Sequence, residues 1–292
     1  MGNCDFSFSI LKYLFNYNYN ISVVVISSNN NTKNYSIIKN FALSNNINIL
    51  EFCNILDLNF IKKLKSYNFD IQVIVSFKFV PKIIFDIPSL GALNLHISLL
   101  PYYSGAAPIN WSIIYGEYIT GITAFFLEES IDNGPIVFQK KDFIYYFDTL
   151  LTLRNRLISN SKNLILKTIN SIIIGKYFLK KQNFYNNYMK YSPKIFKKNC
   201  QINWNKKSNY IYNFVRGLSP HPCSWTKLND KFFKIISLEV IKSFNLNPGQ
   251  IHTDGYSYLL IGTKDHPVSI KLLQPSNKNP LDIKSFFNGN II

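Results

Sequence analysis

Arginine is nearly missing from this chain of 292 residues: Arg154, Arg156 and Arg216 supply all of it, and every other strong base is lysine. Acidic side chains are scarce too, 16 against 32 Lys and Arg, so the formal charge is +16 and the isoelectric point lies near 9.5. A basic surface suits phosphate, because neutralising it releases counterions. The charge has a competing origin, however. The chain is crowded with Lys, Asn, Ile, Tyr and Phe, as an AT-rich coding sequence yields without selection for RNA. Alone, it is weak support for a nucleic-acid partner.

Cysteine is equally sparse. Cys4, Cys53, Cys200 and Cys223 stand apart without the paired spacing of a zinc site or a disulfide framework, which predicts a reducing cytoplasm and no metal. His221-Pro222-Cys223 offers two ligand types but no second pair nearby. No run of about 18 uninterrupted apolar residues occurs, which excludes a helical membrane span. The start of the chain has no charged segment leading into a long apolar one, so no secretory signal is expected. Phe6 stands where a myristoylation signal carries Ser or Thr. With 47% hydrophobic residues the chain can bury a full core, and its length suits two domains.

What is present is an alternation of short apolar runs and amphipathic stretches. Ile21–Ile26, Ile47–Leu50 and Phe69–Ser76 read as buried strands, and a segment ending near Phe15, Tyr35–Asn45 and Asn59–Tyr67 as helices. That order is the signature of an α/β, doubly wound, mostly parallel sheet. Gly121–Leu127 and Pro135–Lys141 continue as strands, and Asp148 is expected to cap a long helix running to about Ile174. Residues 175–198, rich in Asn, Lys and Tyr, read as a linker between domains at 1–174 and 199–292. Beyond it, a helix at Asn209–Leu218 and five short strands from Ser224 to Leu273 predict a small OB-like β-barrel.

The chain is organised around Leu93-Asn94-Leu95-His96-Ile97-Ser98-Leu99-Leu100-Pro101. In an extended backbone Asn94, His96 and Ser98 share one face and the leucines and Ile97 the other. A half-buried strand with water on its polar side is the ordinary reading of such a pattern. Here the preceding strand is nearly all hydrophobe, which suits a sheet covered on both faces, so polar groups at the strand's C-terminal end look into a ligand crevice. Ser104-Gly105-Ala106-Ala107-Pro108 follows as a loop of small residues that lets a flat ligand approach the backbone.

Asn94-x-His96-x-Ser98-Leu99-Leu100-Pro101, Gly105-Ala106-Ala107-Pro108-Ile109-Asn110-Trp111, Thr120-Gly121-Ile122-Thr123 and Ile131-Asp132-Asn133-Gly134 together resemble the core of the methionyl-tRNA formyltransferase family. Ser192-Pro193-Lys194-Ile195-Phe196, Ile202-Asn203-Trp204, Phe214-Val215-Arg216-Gly217-Leu218-Ser219-Pro220 and Phe286-Phe287-Asn288-Gly289 resemble its C-terminal domain. The resemblance implies a Rossmann-like catalytic domain, Asn94, His96 and Asp132 as catalytic residues, and Ser98, Leu99, Leu100 and Pro101 as the wall of a folate pocket. It implies 10-formyltetrahydrofolate as formyl donor, methionyl initiator tRNA as partner, and a monomer with no metal or membrane contact. Asp132-Asn133-Gly134 alone would read as turn chemistry; its spacing from Asn94 and His96 in the family pattern makes it catalytic.

The chain departs from the family pattern in places. The family carries a buried strand before the turn that Met1-Gly2-Asn3-Cys4-Asp5-Phe6 forms here, so the first strand of the sheet is expected to be missing and neighbouring strand edges exposed. The loop from Ser27 to Asn34 is short, with Lys33 its sole base, where the family has a longer basic insertion near the tRNA acceptor end. Ile97 replaces a small residue, Ser104 an arginine, and Pro135 follows the Asp132 turn in place of an acid or amide. The competing readings are a degenerate tRNA-binding protein without turnover and a related formyltransferase with another amine substrate.

Overall fold

β-Branched and leucine-rich runs too short for helices form the strands of an N-terminal α/β body. The computed structural model describes residues 1–28, 33–77, 79–182, 190–242 and 245–289. In chain order, α1 (Asp5–Asn16), β1 (Val24–Ser27), α2 (Lys33–Ser44), β2 (Ile49–Phe52), α3 (Leu58–Lys65), β3 (Gln72–Val75), α4 (Lys82–Phe85) and β4 (Ala92–His96) alternate as expected. They are followed by α5 (Pro108–Ile114), β5 (Ile119–Phe126), β6 (Ile136–Phe143) and the long α6 (Leu150–Ile173). β1 and β2 pair in parallel, as do β3 and β4, whereas β5 runs antiparallel to β4 with His96 opposite Thr123. β6 closes the four-stranded order β3-β4-β5-β6. Phe60, Leu64, Ile74, Ile84 and Ala92 are buried together on one side of this body, and Val24, Ile26, Ile38 and Ala42 form a second core.

β1-β2 and β3-β4-β5-β6 are two separate sheets, and Met1-Gly2 links them: the Met1 amine donates to the Val73 carbonyl at 2.7 Å, Val75 N–H to the Met1 carbonyl at 3.0 Å, and Gly2 N–H to the Val25 carbonyl at 3.4 Å. Beside this link lies a cavity of about 510 Å³ lined by residues such as Ile10, Val23, Val25, Ile71, Val73 and Ile169. Burial in this apolar setting pushes the Met1 amine down to about 5. Asn3 extends β1 with its side chain, its Oδ1 accepting from Ser27 N–H at 3.1 Å and its amide donating to the Ser27 carbonyl at 3.0 Å. The middle of the short Ser27–Asn34 loop, residues 29–32, lies outside the described residues.

Contacts gather Met1–Gly105, Gly121–Asp142 and Arg156–Tyr191 into one unit, and Ala106–Thr120, Phe143–Asn155 and Ser192–Ile292 into the other. The second unit claims α5 because it packs on α7 (Ser208–Leu218). Gly217 lies where an added Cβ would crowd Ile114 and the Asn110 carbonyl at 3.0 and 3.2 Å, and Asn110 Nδ2 donates to the Gly217 carbonyl at 2.8 Å. The remaining strands, β7 (Ser224–Leu228), β8 (Lys231–Val240), β9 (Ile251–Thr253), β10 (Leu259–Ile261), β11 (Val268–Pro275) and β12 (Leu281–Asp282), precede α8 (Ile283–Phe287). They pair antiparallel in the order β9-β10-β11-β8-β7, with β12 on β11. The result is a curled half-barrel; register shifts at Ile235, Ser237 and Leu238 bend β8.

Two local expectations shift. Thr149, one residue after Asp148, caps α6, its Oγ1 accepting from Thr152 N–H at 3.3 Å; Asp148 instead accepts from Tyr145 N–H at 2.8 Å and Thr152 Oγ1 at 3.0 Å. Within the stretch read as a linker, Lys180 pairs with Ile136 through two backbone hydrogen bonds of 2.9 Å. Composition registered its polarity, but main-chain pairing is indifferent to composition.

Candidate active site

β4 brings the polar set to the end of the sheet. Leu93 and Leu95 are buried at 0% and 3% exposure, and His96 is also buried at 8%. Its Nε2 lies 2.9 Å from the Tyr103 carbonyl oxygen and its Nδ1 3.6 Å from Asp132 Oδ2. Both neighbours are acceptors, and a neutral imidazole has one N–H for the two of them. A second proton on the ring therefore finds a waiting acceptor. Asp132 Oδ2 also receives the Gly105 N–H at 2.9 Å, which anchors the carboxylate to the main chain.

The loop carrying Asp132 is held in a conformation its sequence does not prefer. Asp132 has φ +54°, the left-handed region, tolerated by Asp for its short polar side chain. Gly134 passes so close to β5 that a Cβ there would lie 1.7 Å from the Phe126 carbonyl oxygen, so glycine is required at that position. Asp132-Asn133-Gly134 is thus a turn in this structure, with the Asp132 carboxylate beside His96.

Asn94 stands on the same strand, two residues before His96, with its Oδ1 buried and without a hydrogen-bond partner. A buried acceptor left open at the end of a sheet fits a ligand that brings a donor. Ser98 is buried at 1%; its hydroxyl donates to the Tyr102 carbonyl at 2.7 Å and its carbonyl accepts from Thr123 Oγ1 at 2.7 Å. Leu100 N–H donates to Thr123 Oγ1 at 3.1 Å, and Gln139 Nε2 donates to the Leu100 carbonyl at 2.8 Å and to Thr123 Oγ1 at 2.9 Å. The segment Ser98–Pro101 is thus held through its backbone by Thr123 and Gln139. Sequence reading missed Gln139, and Gln182, whose amide donates to the Asp132 and Gly134 carbonyls at 2.9 and 2.8 Å; a lone amide in a strand or a polar stretch carries no local signal of such a partner.

An uncharged amide, a histidine between two acceptors and a carboxylate beside it can stabilise negative charge on an oxygen and move a proton, the needs of acyl transfer to an amine. Among the described residues, no group of three or more His, Cys, Asp or Glu could hold a metal ion, and no helix is long and apolar enough to cross a membrane.

Fold and site define a formyltransferase: residues 20–169 match the formyl transferase family and residues 194–290 the formyl transferase C-terminal domain. Among solved structures, the sugar 3N-formyl transferase WlaRD, determined in the presence of dTDP and 5-N-formyl-THF, superposes with a TM-score of 0.70 at 24% identity over 95% of this chain and 97% of that one. HypX from Aquifex aeolicus in complex with tetrahydrofolic acid does so with a TM-score of 0.63 at 16% identity, over 92% of this chain and 48% of that one. Two curated relatives are closer in sequence. The methionyl-tRNA formyltransferase of Azobacteroides pseudotrichonymphae genomovar. CFP2 is 40% identical, covering 88% of this chain and 82% of its own, and that of Parabacteroides distasonis 36%, covering 87% and 81%. The chain belongs to the methionyl-tRNA formyltransferase family.

Proposed function

We propose that Asn94, His96 and Asp132 form the centre at which this enzyme transfers a formyl group to the α-amino group of methionyl initiator tRNA, with 10-formyltetrahydrofolate as donor. The observation that carries the reading is Asp132 Oδ2, placed between His96 Nδ1 at 3.6 Å and the Gly105 N–H at 2.9 Å. The donor supplies a carbonyl carbon bound to nitrogen; the wall Ser98–Pro101 and the open Asn94 acceptor suit its flat ring system and hydrogen-bonding edge. As the amine attacks, Asn94 and His96 hold the charge that develops on the carbonyl oxygen. Asp132 accepts the proton shed by the amine, directly or through water, and passes it to His96 Nδ1, from which it goes to the departing nitrogen, so that both side chains return to their starting states. Atoms and charge balance: one C–N bond forms, one breaks, and one proton changes nitrogen.

The likeness to methionyl-tRNA formyltransferases supports the tRNA substrate, and the tetrahydrofolate compounds present with WlaRD and HypX, which share this fold, support the donor. The reading has the enzyme act in the cytoplasm as a monomer. Incubation with charged initiator tRNA and 10-formyltetrahydrofolate is expected to yield formylmethionyl-tRNA. Formylation of glycinamide ribonucleotide in its place, or tRNA binding with no folate binding and no turnover, would reject the reading.

A further inference from the structure

Asp132 poses a mechanical problem. Its carboxylate must stay beside His96 while its own backbone sits at φ +54°, a conformation unfavourable for a non-glycine residue. Behind it, Gly134 is pressed against the Phe126 carbonyl, and the turn itself contributes one long hydrogen bond, Asn133 N–H to the Ser130 carbonyl at 3.3 Å. The Gly105 N–H holds the carboxylate end, and the backbone of the turn needs a second hold to choose this arrangement over the alternatives open to an Asp-Asn-Gly turn.

We propose that Gln182 is a positioning residue for catalysis: a strap formed by Lys180–Gln182 clamps the Asp132 turn and so sets the distance between the Asp132 carboxylate and His96. The two halves of the clamp are backbone and side chain. Lys180 pairs with Ile136 through N–H to carbonyl bonds of 2.9 Å in both directions, which fixes the strap against the start of β6. Two residues on, Gln182 spends both protons of one amide nitrogen on this turn, one on the Asp132 carbonyl at 2.9 Å and one on the Gly134 carbonyl at 2.8 Å. Both donors of the amide are thus used on the turn, while its Oε1 is buried without a partner. A buried polar atom left unsatisfied is unfavourable, and a glutamine kept for bulk alone would be better replaced by an apolar residue. The arrangement is accounted for if the two donated bonds are what the site requires.

The proposal rests on the assignment of Asp132 as the proton acceptor, and the test separates the two. Gln182→Met keeps the length and shape of the side chain and removes both donors; Gln182→Glu keeps the length and sets a carboxylate against two carbonyls. In each, kcat is expected to fall about tenfold or more, since displacing a reacting group by an ångström costs up to about a hundredfold. KM for tRNA and donor should stay within about twofold, and the acid limb of the pH–rate profile should move, because the His96–Asp132 spacing has changed. Circular dichroism and thermal melts identify variants that remain folded. In an Asp132→Asn background, Gln182→Met should cost little further, because the group it positions is already gone.

If Asp132→Asn abolishes turnover while folded Gln182→Met retains kcat within twofold and an unmoved pH profile, the strap is only structural and the proposal falls. If Asp132→Asn itself turns over normally, the assignment of Asp132 falls, and with it this role for Gln182. A Gln182→Met variant too unstable to assay is replaced by Gln182→Glu: a lowered kcat with a moved pH profile supports the clamp, and an unchanged kcat and profile overturn it.

Discussion

His96→Ala removes a ring that faces two acceptors and leaves the apolar side of β4 untouched. Its loss is expected to lower single-turnover formylation roughly a hundredfold or more while tRNA affinity holds, since the interaction removed operates mainly in the transition state. Near-normal turnover at saturating substrates would reduce the strand to a wall of the pocket. Gln139→Leu tests that wall. Removing the amide takes away the donor to the Leu100 carbonyl and one of the bonds on Thr123 Oγ1, so KM for the folate donor should rise several-fold, with a smaller change in kcat, in steady-state kinetics. Lys194, whose ammonium lies 5.2 Å from the Phe196 ring centre, belongs to a different class of residue. Lys194→Ala should weaken tRNA binding modestly and flatten its dependence on salt without altering folate binding.

At the scale of elements, α7 shows how the C-terminal unit begins a helix without a local cap. Lys207 precedes it and provides no side-chain cap, and the Ser208 N–H is met instead by Asp265 Oδ1 at 2.7 Å, from the loop before β11. Desolvation would raise the Asp265 carboxyl, but the N–H groups of Ser208 and His266 and the Ser208 and Thr263 side chains outweigh it and hold it down to about 2. A depressed carboxyl favours the folded chain above its unfolded value near 3.9, and that contribution is lost as pH falls through about 2. Asp265→Asn is therefore expected to lower thermal stability near neutrality and to lower it less in acid, an effect of about 1 kcal/mol read from urea melts. Equal destabilisation at both ends of the pH range would show that the carboxylate charge plays no part.

At the scale of the molecule, the weak point is the seam between the two N-terminal sheets. In a chain whose first residue is Met1, burial pushes the amine from 8.0 down to about 5, so that it is neutral in the folded chain and protonated in the unfolded one across that interval. Stability is undiminished above about 8, falls as pH drops toward 5 and levels off below it. Joining an apolar five-residue strand to the Met1 nitrogen should remove this dependence, fill the cavity of about 510 Å³, and raise Tm by roughly 5 °C or more. A Gly-Ser extension of equal length should remove the titration and leave Tm lower than the apolar extension does. If both extensions melt alike, the seam does not accept a strand.

The α/β alternation and the run Leu93–Pro101, with a polar face carrying Asn94, His96 and Ser98, were legible in the sequence, because hydrophobic period is local. The family pattern, read over several ordered blocks, joined Asp132 to β4 across more than thirty residues of chain. Three things were decided by tertiary structure. Ala106–Thr120 and Phe143–Asn155 joined the C-terminal unit since α5 presents its contact to Gly217, a fit between surfaces that no window of sequence contains. The polar stretch after α6 became a strap because main-chain pairing of Lys180 with Ile136 needs a free strand edge and no particular side chain. Gln139 and Gln182 acquired their roles from carbonyls that folding delivered to them: sequence settles which donors a chain owns, and the approach of distant backbone decides what they hold.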